Sequence, residues 1–97
     1  MPARVSCEGR RLALSGELGF DSVPGVWAEC RGYVRAGGEL DVDLAGIERA
    51  DSAGLALLVE WLRDAEAAGT RLRFLNMPEQ MQAMARVSGL DEILPLD

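Results

Sequence analysis

The run Asp51-Ser52-Ala53-Gly54 places a hydroxyl next to a carboxylate at the start of a long apolar helical pattern. The first turn of a helix has backbone N–H groups without a partner in the helix, and it carries the positive end of the helix dipole. Ser52 could therefore cap the helix, carry a phosphate group, or be contacted by a docking protein. Asp51 is an alternative cap, in which case Ser52 already belongs to the helix.

The residue types give little support to enzyme chemistry. The chain has no histidine, which excludes serine–histidine and cysteine–histidine nucleophile systems and histidine-ligated metal sites. Cys7 and Cys30 are too far apart in the sequence for a zinc signature, and we expect both to be reduced thiols rather than a disulfide. We predict no catalytic residue, no metal site and no cofactor, so the protein is expected not to be an enzyme.

Size and charge restrict the remaining functions. The chain has 97 residues, of which 48% are apolar and 27% charged, as is typical of a single globular domain spanning residues 1–97. The net charge of −6 argues against nucleic acid and against anionic membrane surfaces as partners, and no direct membrane insertion is expected. No apolar run approaches the roughly 20 residues that cross a bilayer, and the N-terminus lacks the apolar core of a signal peptide. We therefore expect a cytoplasmic protein.

Alternating apolar residues predict the strands that must support this helix start. Val5–Cys7 and Leu12–Leu14 predict a hairpin, Leu40–Leu44 predicts a central strand, and Leu72–Leu75 predicts the last strand. The pair Ala45-Gly46 is expected to turn the chain out of the central strand.

Helical spacing predicts three helices, so that the element order is β-β-α-β-α-β-α. The first carries an apolar stripe from Val23 to Val34, the second runs from Ser52 to Ala68 and closes at Gly69, and the third begins at Pro78. The apolar side of the third helix is expected to comprise Met81, Met84, Ala85 and Val87. The apolar tail that is expected to pack on the domain comprises Leu90, Ile93, Leu94 and Leu96. Strands alternating with helices predict an α/β fold.

The second helix has two apolar strips. The strip that should face the sheet comprises Leu55, Leu58, Val59, Leu62 and Ala65. Leu57 and Trp61 form an offset strip, which is either a second buried side or an exposed docking patch. Because tryptophan is enriched at protein interfaces, Leu57 and Trp61 are included in the candidate docking surface.

Three segments carry a family resemblance. The sequences of Leu12–Leu18, Asp43-Leu44 and Asp51–Leu55 resemble the STAS domain family, and the predicted order of elements agrees with that fold over nearly the whole chain. The resemblance implies a single STAS domain with a small mixed sheet of four to five strands covered by three main helices.

Within this family, Trp27, Gly54–Leu58 and Ile93–Pro95 resemble the MlaB-type branch. These are cytoplasmic, non-enzymatic subunits of bacterial ABC transporters that move phospholipids between the inner and outer membranes. The resemblance implies that the chain binds the transporter ATPase, in a complex with a membrane permease, and supports its assembly and activity. It would then be peripheral to the inner membrane through that partner. The residues expected to bind the partner are Asp51, Ser52, Ala53, Gly54, Leu57 and Trp61.

A second branch of the family gives an alternative function. The sequence around Ser52 is also similar to that of anti-sigma-factor antagonists, in which the serine at this position is phosphorylated by a partner kinase. The chain departs from that branch at Ala53, where a second hydroxyl is frequent. A phosphate on Ser52 would meet free helix amides, but the neighbouring Asp51 would oppose its charge.

Overall fold

The computed structural model describes residues 2–95, and the order of elements in it is the predicted one. The strands are β1 (Arg4–Glu8), β2 (Arg11–Leu18), β3 (Gly38–Ala50) and β4 (Thr70–Leu75). The helices are α1 (Val23–Val34), α2 (Ser52–Ala68) and α3 (Glu79–Val87), followed by a short 3₁₀ helix at Leu90–Glu92. The predicted α/β class is confirmed.

The four strands form one mixed sheet in the order β1-β2-β3-β4. β1 and β2 are an antiparallel hairpin, whereas β2 pairs with β3 and β3 with β4 in parallel. Parallel neighbours need crossover connections, which α1 and α2 provide. Because the parallel strands end at the same edge of the sheet, α1 and α2 both begin at that edge.

Apolar and polar residues alternate along the inner strands, as a sheet covered on one face requires. The buried strand positions include Leu12, Leu14, Leu40, Val42, Leu44 and Phe74, and they form one hydrophobic cluster with buried residues of all three helices. The intervening positions carry charged residues that pair with one another across the strands, among them Arg11, Asp41, Asp43 and Arg73. The helices therefore cover one face of the sheet and leave the other open.

The predicted turn at Ala45-Gly46 is wrong, because β3 continues through it to Ala50. The pairing of β2 with β3 shifts register there: Ala13 pairs with Asp43, but Ser15 pairs with Gly46. A Cβ atom on Gly46 would lie 2.8 Å from the Cβ of Ser15. The glycine therefore permits a close approach of two strands at a bulge, a role that leaves the same sequence signal as a turn.

The predicted bounds of α2 are confirmed, and the helix ends at Gly69 in the left-handed conformation with φ of 74°. The apolar side predicted for α3 is wrong at Val87, which is 91% exposed, whereas Met81 and Ala85 are buried. Val87 shares a side with Met84, three residues before it, but Met84 is only half-buried and Val87 is the last residue of α3, so this side of the helix leaves the core at its end.

The C-terminal tail packs only in part. Leu94 is buried and Leu90 is half-buried, but Ile93 is exposed. The carbonyl of Pro95 accepts a hydrogen bond of 3.0 Å from the N–H of Phe74, so the tail lies along the free edge of β4. Leu96, which belongs to the predicted tail, lies outside the described residues.

Cys7 and Cys30 are free thiols. Cys30 lies on the buried side of α1, and desolvation raises the pKa of its thiol to about 12. Cys7 is exposed on the edge strand β1.

Candidate functional site

The candidate site lies where β2 and β3 end side by side. Leu18 and Ala50 are paired across the two strands, and the N–H of Asp51 donates to the carbonyl of Leu18 at 3.2 Å. The connection into α1 and the start of α2 are consequently neighbours at one edge of the sheet. We call the surface formed by residues 19–22 and 51–54 the α1/α2 corner.

The carboxylate of Asp51 holds this corner together. Its Oδ1 accepts hydrogen bonds from the N–H groups of Ala53 at 2.8 Å and Gly54 at 3.2 Å. Its Oδ2 accepts a hydrogen bond of 3.1 Å from the N–H of Phe20 in the neighbouring loop. Asp51 is therefore the N-cap of α2, and Ser52 is the first residue of the helix.

These hydrogen bonds also set the charge of the corner. The N–H of Phe20 is the main reason that the pKa of Asp51 lies below its ordinary value, and the N–H groups of Gly54 and Ala53 act in the same direction. The carboxylate is thus ionised at neutral pH and occupies the first-turn amides of α2. A phosphate group on Ser52 would have to compete with it for those amides.

Two glycines allow the parts of the corner to approach closely. A Cβ atom on Gly54 would lie 2.5 Å from the carbonyl oxygen of Leu18, and one on Gly19 would lie 2.8 Å from Oδ2 of Asp51. Gly54 is itself buried. Its contribution to the site is therefore to bring α2 against the end of β2 rather than to contact a partner.

Of the residues predicted to bind a partner, Asp51, Ser52 and Ala53 are accessible to solvent. Ser52 is exposed, and its hydroxyl has no hydrogen-bond partner among residues 2–95. Ala53 is half-buried beside it. A hydroxyl that the fold does not use is available to another molecule, and contact with a partner stays a prediction for these residues.

Leu57 and Trp61 do not form an exposed patch, so this part of the expectation is wrong. Leu57 is 1% exposed and Trp61 is 0% exposed, because α1 packs on α2 and makes the offset strip a second buried side. The indole N–H of Trp61 has no hydrogen-bond partner among residues 2–95, which shows that apolar packing holds the ring.

Gln80, which no sequence pattern singled out, ties α3 to the α1/α2 corner. Its side-chain Nε2 donates to the carbonyl of Ala50 at 2.8 Å, and its Oε1 accepts from the N–H of Ala50 at 3.2 Å. The amide thus pairs with both backbone groups of the residue that precedes Asp51. A glutamine in the first turn of an exposed helix carries no sequence signal for such a contact.

Phe20 is the second missed residue. It is 80% exposed, although its N–H is held by Asp51. Its signal in the sequence is a single aromatic residue between Gly19 and Asp21, outside any periodic apolar pattern. An isolated aromatic residue of this kind adds an apolar element to a polar corner.

Within positions 2–95 there is no group of three or more histidine, cysteine, aspartate or glutamate side chains that could hold a metal ion. None of the helices in that range has the length and apolar character needed to cross a bilayer.

Comparison with protein families and curated proteins identifies relatives over nearly the whole chain. Residues 3–95 match the family model described as "Mlab, STAS domain". The intermembrane phospholipid transport system binding protein MlaB of Escherichia coli K12 is 31% identical over 88 residues, which cover 90% of this chain and 89% of that protein. The protein of the same name from Haemophilus influenzae is 29% identical over 86 residues, which cover 84% and 81% of the two chains.

Solved structures share the fold at lower identity. An anti-sigma factor antagonist from Mycobacterium paratuberculosis superposes with a TM-score of 0.80 at 21% identity, covering 97% of this chain and 82% of that one. The Bacillus cell fate determinant SpoIIAA in its phosphorylated form gives a TM-score of 0.71 at 21% identity, covering 98% and 90%. At these identities the structures show a common fold and no more.

Proposed function

This chain belongs to the MlaB-type STAS domain family, and from that membership we propose that it is an accessory subunit of an ABC transporter for intermembrane phospholipid traffic. In this function the chain binds the transporter ATPase, within a complex that contains a membrane permease, and it performs no catalysis of its own. It is held at the cytoplasmic side of the inner membrane through that partner. The α1/α2 corner is the docking surface.

The observation that carries the proposal is the exposed, unpaired hydroxyl of Ser52 on a helix start that is already fixed. Asp51 accepts hydrogen bonds from two amides of the first turn, those of Ala53 and Gly54, and Gln80 holds the residue before Asp51. A surface held in its binding conformation before contact loses less conformational entropy on binding. Ser52 and Ala53 can therefore meet a partner without rearrangement of the corner.

The effect of docking on the ATPase follows from linkage. A partner can shift a conformational equilibrium only by binding one state more tightly than the other. We propose that the corner binds the ATPase arrangement that is competent for assembly with the permease. The subunit then supports transporter assembly and activity without contacting nucleotide or lipid.

The test is to replace Ser52 by glutamate, which adds bulk and a second negative charge beside Asp51. Loss of a hot-spot contact at the centre of an interface costs about 2 kcal/mol or more, so with Ser52 in that position the affinity for the cognate ATPase should fall roughly 30-fold. Ser6→Glu is the matched control, because Ser6 is exposed on β1, away from the corner. Both variants should keep the thermal unfolding midpoint of the parent chain.

Titration calorimetry with the purified ATPase measures these affinities. Copurification of the Ser52→Glu variant with the ATPase at the parent yield would show that the assigned contact is wrong.

A second function is favoured by the same accessible hydroxyl. As an anti-sigma-factor antagonist, the chain would be switched by phosphorylation of Ser52, and intact mass would rise by one phosphoryl group on incubation with the cognate kinase and ATP. The carboxylate of Asp51 opposes this modification because it already occupies the amides that a phosphate would use. Affinity purification from the native cell separates the two functions: recovery of an ABC ATPase with a permease supports the first, and recovery of a serine kinase supports the second.

A further inference from the structure

An apolar groove runs between the N-terminal halves of α1 and α2, and it begins at Ala53, the neighbour of Ser52. Its walls include Phe20, Pro24 and Trp27 on one side and Ala53, Ala56 and Glu60 on the other, and its volume is ≈ 240 Å³. Glu60 is the charged residue among those that line it, at the end away from the α1/α2 corner. The groove shares Phe20 and Ala53 with the corner, so the two form one continuous surface.

Among residues 2–95, no segment covers the walls of this groove. The ring of Phe20 is 80% exposed at its mouth, and Pro24 and Ala56 are also exposed. An apolar patch of this kind with a polar rim is typical of a protein interaction site. Its position next to an unpaired hydroxyl favours a partner that covers both features together.

We propose that this groove receives one large apolar side chain of the ATPase partner, flanked by a basic side chain that pairs with Glu60. The inference rests on the proposed function and extends its docking surface from α2 onto α1. An engineered apolar cavity of about 150 Å³ holds one benzene molecule. A groove of ≈ 240 Å³ therefore suits a single phenylalanine, leucine or methionine side chain rather than the whole face of a helix.

The charge of the flanking group follows from the rim. Glu60 has an ion pair with Arg63 at 3.3 Å, three residues along the same exposed helix face. Such surface pairs are weak and are readily exchanged for another cation. Asp21 is a further exposed carboxylate beside Phe20, and the chain has a net charge of −6. A basic group on the partner is complementary to this rim.

The first experiment removes the apolar contact. Phe20→Ser takes away the exposed ring, and Ala56→Trp fills the groove with a side chain of the chain itself. Each should weaken binding to the purified ATPase by about tenfold or more, as the loss of a buried apolar anchor does. Val87→Ser is the matched control, because Val87 is 91% exposed on α3 and lies outside the groove. Its affinity should equal that of the parent chain.

The second experiment tests the charge of the flanking group. Glu60→Lys should slow association with the ATPase and reduce its dependence on salt, because an attractive pair becomes a repulsive one. Glu66→Lys is the matched control, since Glu66 is exposed on the same helix and does not line the groove. Equal association rates for the two variants would contradict a basic flanking residue.

The outcomes separate this inference from the proposed function. If Ser52→Glu loses binding while Phe20→Ser and Ala56→Trp bind like the parent chain, the groove assignment is overturned and the docking function stands. If the parent chain does not bind the ATPase, both are overturned.

Cosedimentation with phosphatidylethanolamine and phosphatidylglycerol vesicles tests whether the groove binds lipid instead. If Phe20→Ser loses vesicle binding but keeps ATPase affinity, the groove holds lipid and the inference is wrong.

Discussion

The open face of the sheet and the α1/α2 corner are both exposed and polar, but they differ in how their polar groups are satisfied. On the sheet face, charges of opposite sign meet across neighbouring strands. The pairs are Arg11–Asp43 at 2.7 Å, Arg73–Asp41 at 3.1 Å and Arg71–Glu39 at 3.6 Å. The carboxylates of β3 thus pair with arginines of both neighbouring strands, β2 and β4.

At the α1/α2 corner, a carboxylate whose hydrogen bonds are made within the fold lies next to groups that remain available to a partner. The carboxylate of Asp51 is fully engaged with backbone N–H groups, whereas the hydroxyl of Ser52 and the ring of Phe20 have no such contacts. A partner docking on the sheet face would have to desolvate matched ion pairs, which costs free energy. Docking at the corner covers a hydroxyl that makes no hydrogen bond within residues 2–95 and a ring that is largely exposed. We therefore expect partner binding to depend on the corner, and the ion pairs of the open sheet face to contribute only to the stability of the fold.

The largest expected effect comes from the buried strip of α2 that α1 covers. Trp61→Ala should lower the free energy of unfolding by about 3–5 kcal/mol, because it removes a fully buried ring from a packed cluster. Urea unfolding measures the loss, and Val87→Ala should change stability by no more than about 0.5 kcal/mol. A Trp61→Ala variant that unfolds like the parent chain but fails to bind the ATPase would place Trp61 at the interface instead.

Gly54 should show the next largest effect, because it sets the distance between α2 and the end of β2. Gly54→Ala puts a Cβ atom 2.5 Å from the carbonyl oxygen of Leu18, and we expect a loss of about 1–3 kcal/mol in the free energy of unfolding. Gly32→Ala is the matched control, since a Cβ there meets nothing within 4 Å and should stabilise α1 by roughly 0.5–1 kcal/mol. Equal effects of the two substitutions would contradict the close packing assigned to Gly54.

Much of this architecture could be predicted from local patterns. The bounds of α2 followed from helical periodicity, a carboxylate at its start and a glycine at its end, and these signals act over a few residues. Alternating apolar residues predicted β3 only over Leu40–Leu44 and missed its extension to Ala50. A glycine that permits a bulge and a glycine that makes a turn look alike in sequence.

The candidate site was less predictable because it depends on contacts between distant elements. Periodicity showed that Leu57 and Trp61 form an apolar strip, but it could not show that α1 covers them. The contact of Gln80 with Ala50 joins residues 30 positions apart and has no local signature. The possible role of Phe20 depends on the groove beside it, which α1 and α2 form only in the folded chain.

Asp51 should show a smaller, pH-dependent effect. Its folded-state pKa is lowered, first by the N–H of Phe20, so its ionised form favours folding. That contribution is fully present above the unfolded pKa of about 3.9 and is lost as the pH falls through the folded pKa. Asp51→Ala should cost about 0.5–2 kcal/mol at pH 7, as loss of a helix cap does.

Urea unfolding at pH 7 and pH 3 measures this effect, and the difference between Asp51→Ala and the parent chain should shrink at the lower pH. Asp51→Asn is the control that keeps an acceptor oxygen at the cap but removes the charge. A difference that grows on acidification would contradict the direction of the pKa shift.

The smallest effect is expected on the open sheet face. Arg73→Gln breaks the hydrogen-bonded ion pair with Asp41 on the neighbouring strand. Because both side chains reach solvent, the free energy of unfolding should fall by no more than about 1 kcal/mol, and less at high salt. Comparing Arg73→Gln, Asp41→Asn and the double variant in urea isolates the pair. The affinity for the ATPase should stay within about twofold of the parent value, since rim or remote charges contribute little to binding. A tenfold loss would place the sheet face in the interface and remove the distinction between the two surfaces.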